Sequence, residues 1–221
     1  MSEAIILGII QGLTEYLPVS STAHLILYAW ITGAGGMMDT LTFDVALHIG
    51  TLAAVVVYFS RDWIEMITIR KKLFLLVVLA AIPAGIAGFF LNDLVETTLR
   101  SPLIIACALI LVAFIMWASE RFQKTRDIES ITPADALSIG CAQVLALIPG
   151  VSRSGITISA GLFRNITRES AARFSFLLST PIIAGAALLH TLKILRSGAD
   201  FDAGIFLAGI VSSGVSGFVA I

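Results

Sequence analysis

The sequence predicts an all-α, polytopic membrane protein, because it is poor in charge and holds several apolar runs of membrane-spanning length. Of its 221 residues, 57% are hydrophobic and only 13% are charged, whereas a typical soluble domain has about 25% charged residues. The mean hydropathy is +0.97. A surface with so little charge must face lipid over most of its area. The net charge of −1 gives no indication of a nucleic-acid partner.

Five apolar segments are the candidate transmembrane helices. The two clearest runs are residues 73–91 and 102–118, each close to the ~20 residues that cross a bilayer as a helix. The further candidates are residues 44–59, 174–189 and 203–221.

The chain resembles two copies of one unit inside a single membrane domain, residues 1–221. Residues 11–21 resemble residues 143–154, and residues 82–89 resemble residues 211–218, at offsets of about 131 and 129 positions. Because the two offsets agree, we predict that the chain consists of two repeat units, unit one at residues 1–130 and unit two at residues 131–221.

Each unit opens with an apolar segment that is broken by proline, roughly residues 4–32 and 134–163. Three spans follow in unit one but only two in unit two, so we expect the final transmembrane helix, beyond Ile221, to be missing. A complete protein with an uneven repeat is the alternative.

Basic residues predict how the units are oriented. Of the 14 Lys and Arg residues, ten lie in loops 60–72, 119–133 and 164–173, and the other loops hold three, Arg100, Lys193 and Arg196. The positive-inside rule places the first set in the cytoplasm. This works only if each broken segment is a re-entrant helix pair that returns to its own side. The two units are then inverted, and inverted repeats place a site where the tips of the half-helices meet.

The first broken segment carries a group of polar residues around Pro18. Gln11 and Glu15 are four positions apart, which places both on one helical face. Pro18 cannot continue a helix, and a second half-helix is expected to start directly after it, where hydroxyl side chains cap well. The polar residues at that start are Ser20, Ser21, Thr22 and His24.

The second broken segment repeats this design and adds Arg153. Pro149 breaks the chain, and the next half-helix opens with three hydroxyl side chains, Ser152, Ser154 and Thr157. An arginine at bilayer depth costs about 2.5–3.5 kcal/mol on insertion scales, so it requires an anionic partner. Its planar guanidinium fits a phosphate, and each helix start adds unpaired backbone N–H groups that bind anions.

Together the two segments predict a phosphate site with a nucleophile and acid–base groups at hand. Structural kinks, in which Ser and Thr side chains bond to nearby carbonyls, are the alternative. Asp44 and His48, four positions apart on a predicted span, are further candidates.

The motifs resemble those of a known family. Residues 11–24 (QGLTEYLPVSSTAH) and 149–157 (PGVSRSGIT) are similar to the two signature motifs of the undecaprenyl-diphosphate phosphatases of the bacitracin-resistance type. The resemblance extends along the whole chain, including residues 43–48 and 174–179. It implies two re-entrant helix pairs and the dephosphorylation of undecaprenyl diphosphate, which recycles the lipid carrier of cell-wall synthesis.

The resemblance also implies which residues act. We expect Glu15, Ser21, His24 and Arg153 to be catalytic, and phosphate to be bound by five hydroxyls, those of Ser20, Thr22, Ser152, Ser154 and Thr157. A divalent cation, Mg²⁺ or Ca²⁺, is implied, with Glu15 and Gln11 as its ligands. Gln11 leaves one carboxylate where two are usual, which weakens that metal site. The implied location is the bacterial inner membrane, with the site open to the periplasm, and a homodimer is a further expectation.

Two rival functions remain open from the sequence. A polyprenyl-phosphate transporter or flippase would have the same inverted-repeat architecture. A catalytically inactive protein that only binds the lipid is the second. The combination of Ser, His, Glu and Arg favours chemistry, because transport needs only binding groups.

Overall fold

The structure, a computed structural model, describes residues 1–33, 41–97, 99, 101–197 and 202–221, and within these ranges it contains α-helices and no β-strand. The helices are α1 (Ser2–Glu15), α2 (Ser21–Thr32), α3 (Leu41–Tyr58), α4 (Ser60–Thr68), α5 (Lys71–Thr97), α6 (Pro102–Ser119), α7 (Pro133–Val144), α8 (Arg153–Phe163), α9 (Arg168–Ser197) and α10 (Ala203–Ala220). The all-α prediction is confirmed.

The helices include several of membrane-spanning length, which confirms the polytopic prediction. Within the described ranges, α5, α6, α9 and α10 contain segments long and apolar enough to cross a membrane. The predicted span 44–59 corresponds to α3, which joins α4 at a bend of 65° and forms a fifth candidate with it. The predicted span 174–189 starts earlier than expected, because α9 already begins at Arg168.

Both proline-broken segments form helix pairs with a non-helical turn between them. α1 ends at Glu15 and α2 begins at Ser21, with Ser20 in a left-handed conformation at a φ of 64°. After α7, a short 3₁₀ turn at Leu145–Leu147 leads to Gly150, whose φ is 95°. A Cβ at Gly150 would lie 2.6 Å from the carbonyl oxygen of Ile105 in α6. Glycine therefore allows this turn to approach α6 closely.

Small residues bring α10 against α1 and α3. The Ser213 hydroxyl donates to the Leu47 carbonyl oxygen of α3 at 2.6 Å, and Ser216 donates to the Gly8 carbonyl oxygen of α1 at 3.3 Å. A Cβ at Gly12 would lie 1.9 Å from Ser216 Oγ, and one at Gly50 would lie 2.0 Å from Ser213 Oγ. Such close backbone approach through glycine and serine is typical of helices packed within a membrane. The packing fixes α1 and α3 relative to each other.

The three loops that are rich in basic residues meet at one end of the molecule. Arg126 and Arg164 both bond to the buried Asp135 carboxylate, at 2.6 Å each. Arg168 donates to Glu120, and Arg173 Nε donates to Asp62 Oδ1 at 2.7 Å. These contacts join loops 60–72, 119–133 and 164–173, which places the three on the same side. The side chains of Arg100, Lys193 and Arg196 lie outside the described residues.

Replacing Gly12 by Ala should destabilise the protein, because the new Cβ would overlap Ser216 Oγ and lie 2.6 Å from the Ser213 carbonyl oxygen. Overpacking of this kind costs about 1–3 kcal/mol. Thermal unfolding in detergent, followed by circular dichroism, should show a lower midpoint. Gly85→Ala is the matched control, since no described atom lies within 4 Å of a Cβ at Gly85. If Gly12→Ala unfolds no earlier than Gly85→Ala, the packing described for α10 is wrong.

Candidate functional site

An ion pair between Glu15 and Arg153 joins the two broken segments. Arg153 Nη2 donates to Glu15 Oε1 at 2.6 Å, across 138 positions of sequence. The two side chains are only 6% and 14% exposed. Glu15 ends α1 and Arg153 begins α8, so the pair lies where both helices break. The structure thus brings together the carboxylate and the guanidinium that the sequence singled out.

Further donors surround the same carboxylate. Ser21 Oγ donates to Glu15 Oε2 at 2.6 Å, and Gln11 Nε2 donates to it at 2.9 Å. His48 Nε2 of α3 lies 3.3 Å from Oε2. A buried carboxylate is stable only when it is paired and hydrogen-bonded, and these contacts supply both. They also hold the Ser21 hydroxyl within proton-transfer distance of Glu15.

The histidine that contacts Glu15 is His48, which the sequence had suggested only as a further candidate. The His48 Nδ1–H donates to the backbone carbonyl oxygen of Asp44 at 2.7 Å. This bond fixes the ring and turns Nε2 toward Glu15. Nε2 is attracted to the carboxylate only when it also carries a hydrogen, so the Glu15–His48 pair can hold and release a proton.

His24 lies in the first turn of α2, where the sequence placed it, and faces a cavity. Its Nδ1–H donates to the Ser20 carbonyl oxygen at 2.8 Å, and its ring lines a cavity of about 800 Å³. None of the described hydrogen bonds or ion pairs joins His24 to Glu15, and the catalytic role expected for His24 stays a prediction. Ser21, three positions earlier on α2, donates to Glu15 from the same helix.

The predicted hydroxyls are mostly bonded to protein groups. Ser154 Oγ donates to the Leu17 carbonyl oxygen at 3.0 Å, which links α8 to the non-helical turn between α1 and α2. Thr157 Oγ1 donates to the Arg153 carbonyl oxygen at 2.7 Å. Ser152 caps α8, because its Oγ accepts from Gly155 N at 3.2 Å. Their role as phosphate ligands stays a prediction.

The predicted hydroxyls of the first segment differ from this pattern. Ser20 occupies the position before α2, but its side chain makes no capping hydrogen bond. Thr22 is half-buried in the first turn of the same helix. Both therefore lie at the start of α2, where the sequence placed them, and their role as phosphate ligands also stays a prediction.

Sequence reasoning missed Ser175, which supports Arg153 from α9. Thr157 Oγ1 and Ser175 Oγ are 2.7 Å apart, and Arg153 Nη1 lies 3.4 Å from the Ser175 carbonyl oxygen. Ser175 is fully buried. The signal available in the sequence was a serine inside a predicted apolar span, because a hydroxyl that becomes buried requires a hydrogen-bond partner.

A resident metal ion does not fit this arrangement. Glu15 Oε1 is bonded to a guanidinium, and Oε2 accepts from Ser21 and Gln11. Gln11 Oε1 is the one atom that argues for a cation, since it is buried without a hydrogen-bond partner among the described residues. Mg²⁺ and Ca²⁺ need about six or more oxygen ligands. The described parts of the chain hold no group of three or more His, Cys, Asp or Glu residues suited to a metal.

The arrangement is suited to reactions of a phosphoryl group. A serine beside a carboxylate is the pattern of an activated nucleophile or of a positioned water. A guanidinium at the start of α8, together with the unpaired N–H groups of two helix starts, attracts an anion. The acid–base groups and the anion-binding groups thus meet within one hydrogen-bonded cluster.

Comparison with known proteins agrees with this chemistry. Residues 4–221 match the family model of the bacitracin resistance protein BacA. A relative from Thermodesulfovibrio yellowstonii, named undecaprenyl-diphosphatase, is 52% identical over 219 residues, which cover 99% of this chain and 85% of the relative. Proteins of the same name from Desulforudis audaxviator and Gemmatimonas aurantiaca are 47% and 46% identical, over 99% of this chain and 85% and 86% of theirs.

Removing one member of the ion pair should cost more stability than removing both. Glu15→Gln leaves Arg153 nearly buried without an anion, which costs about 3–5 kcal/mol. The double change Glu15→Gln with Arg153→Met removes both charges of the pair and should recover most of this loss. Unfolding in detergent measures both midpoints. A double variant no more stable than Glu15→Gln would show that the pair does not govern stability.

Proposed function

The chain belongs to the bacitracin resistance protein BacA family, and we propose that it hydrolyses undecaprenyl diphosphate to undecaprenyl phosphate. The observation that carries this proposal is the contact of Glu15 with both Ser21 and Arg153 at 2.6 Å. In this proposal Ser21 is the nucleophile or positions a water, Glu15 is the base, and Arg153 binds phosphate. The hydrolysis would recycle the lipid carrier of cell-wall synthesis.

The diphosphate is held by Arg153 and the starts of α2 and α8. A guanidinium has five N–H donors, so Arg153 can keep Nη2 on Glu15 while other donors bind phosphate oxygens. The hydroxyls of Ser20, Thr22 and Ser152 lie at the same helix starts. Phosphoryl transfer depends mainly on such positioning and on stabilising charge on the transferred group.

The reaction uses the carboxylate as a base. Ser21 Oγ attacks the terminal phosphorus, or positions the water that does, and Glu15 accepts the proton from the attacking group. The bond from that phosphorus to the bridging oxygen breaks, and the lipid phosphate leaves with a proton that His24 supplies from the cavity side. His48, 3.3 Å from Glu15, then gives its own Nε2 proton to solvent and takes up the proton that Glu15 gained. If Ser21 attacks, water hydrolyses the phosphoserine in a second step.

The site is proposed to open to the periplasmic face of a bacterial inner membrane. The basic loops, which the positive-inside rule assigns to the cytoplasm, meet at one end of the molecule through the ion pairs of Asp135 with Arg126 and Arg164 and of Glu120 with Arg168. The names of the relatives do not favour the transporter alternative. A homodimer, also expected from the sequence, stays a prediction.

Arg153→Ala should lower phosphate release from undecaprenyl diphosphate in detergent by about a hundredfold or more, because it removes the charge on which the transferring group depends. Arg153→Lys should rescue only part of the activity, since an ammonium cannot make the two-point contact. Arg61→Ala, at an exposed arginine of α4, is the control. Activity of Arg153→Ala above about a tenth of wild type would contradict the role of Arg153.

We propose that the divalent cation arrives on the diphosphate oxygens instead of residing in the protein, which follows from the poor fit of a metal at Glu15. Protein dialysed against a chelator should contain no stoichiometric metal by elemental analysis, yet added Mg²⁺ should restore phosphate release. Gln11→Leu tests the unpaired amide oxygen of Gln11 and should leave the Mg²⁺ requirement unchanged. Stoichiometric metal that survives chelation, and is lost in Gln11→Leu, would show a resident site.

A further inference from the structure

The cavity beside His24 forms a groove between two helix faces. Leu109, Val112 and Ala113 line it from α6, and Gly155, Ile158 and Leu162 line it from α8. Its volume is about 800 Å³. From Ser152 to Leu162 the groove follows α8 for about 15 Å, at 1.5 Å per residue.

One end of the groove adjoins the candidate site. Ser152, Gly150 and His24 line that end, and Arg153 directly follows Ser152 in the chain. The other end is formed by Glu120 and Arg168, which are paired with each other. Arg168 beside Glu120 lowers the pKa of that carboxyl to about 2, so this end is charged at neutral pH. The groove is thus apolar in the middle, with the start of α8 at one end and an ion pair at the other.

We propose that this α6–α8 groove binds the first isoprene units of the substrate's polyprenyl chain, an inference that rests on the proposed function. Glu15 and Arg153 are nearly buried, so a diphosphate that reaches Arg153 draws the carbon atoms attached to it into the protein. Those atoms need an apolar path that starts at the tips of the helices. The groove starts at the tips of the helices, its middle is apolar, and its length suits a few isoprene units.

The ion pair at the far end limits how much of the chain the groove can hold. An alkyl chain gains nothing from contact with the charged pair of Glu120 and Arg168, because burying an ion pair against hydrocarbon costs free energy. The remaining isoprene units therefore leave the groove sideways into the bilayer. Recognition should depend on chain length only for the first few units.

Chain-length dependence tests the groove. We expect kcat/KM of the wild type to rise from dimethylallyl to geranylgeranyl diphosphate by about tenfold or more and then to level off up to undecaprenyl diphosphate. Ala113→Trp, which fills the groove from α6, should lose about tenfold on geranylgeranyl diphosphate but stay within about twofold of wild type on dimethylallyl diphosphate. Cys107→Trp, at an exposed position on a different face of α6, should behave as wild type.

Other outcomes overturn the inference. An active wild type without chain-length preference, or equal losses in Ala113→Trp and Cys107→Trp, would show that the groove does not hold the chain. A change of oligomeric mass in detergent with Ala113→Trp alone would identify the groove as an interface between copies.

Direct binding separates failure of the groove from failure of the proposed function. A wild type inactive on every diphosphate would refute the hydrolysis. In that case the fluorescence of Trp117, which lines the groove, still decides the binding proposal. In a Trp30→Phe and Trp63→Phe background, farnesyl phosphate should shift this fluorescence, and Ala113→Leu should abolish the shift. No shift in that background would overturn the groove as a prenyl site.

Discussion

The buried contact between Glu15 and Arg153 is the interaction on which the rest of the site depends. Neither charge is stable alone at membrane depth, because desolvation costs several kcal/mol per ion unless geometry and further hydrogen bonds compensate. The 2.6 Å contact and the donors from Ser21 and Gln11 provide that compensation. Since one partner ends α1 and the other begins α8, the two broken segments must meet. The same contact leaves the Arg153 guanidinium and the Glu15 carboxylate side by side, where the proposed function needs a cation and a base for the phosphate.

The fold holds this contact from two directions. At one side, glycine and serine let α10 pack against α1 and α3, which carry Glu15 and His48. At the other, Asp135 binds Arg126 and Arg164, and so anchors the far end of α8, the helix that begins with Arg153. Rigid helices anchored at a distance keep the site geometry better than loops would. The small-residue packing and the charged loops thus both serve the position of two side chains.

The site has two faces with different chemistry. The face toward α1 and α3 holds Glu15, Ser21 and His48, which are connected by hydrogen bonds and can move protons. The face toward α6 holds His24 and the apolar groove, where the lipid part of a substrate has room. An amphiphilic lipid diphosphate matches both faces at once. A transporter would need a binding site but would gain nothing from a serine held 2.6 Å from a carboxylate.

The sequence by itself determined the helices, the two breaks and the central pair of charges. Spans follow from composition over about twenty residues, the breaks follow from Pro18 and Pro149, and an arginine in an apolar segment requires an anion wherever it lies. These are properties of short stretches of chain. Only the tertiary structure decided that His48 and not His24 contacts Glu15, that Ser154 and Thr157 bond to carbonyls, and that Ser175 supports Arg153. Those outcomes depend on how each helix is rotated and how closely it approaches its neighbours, which the packing of the whole bundle sets.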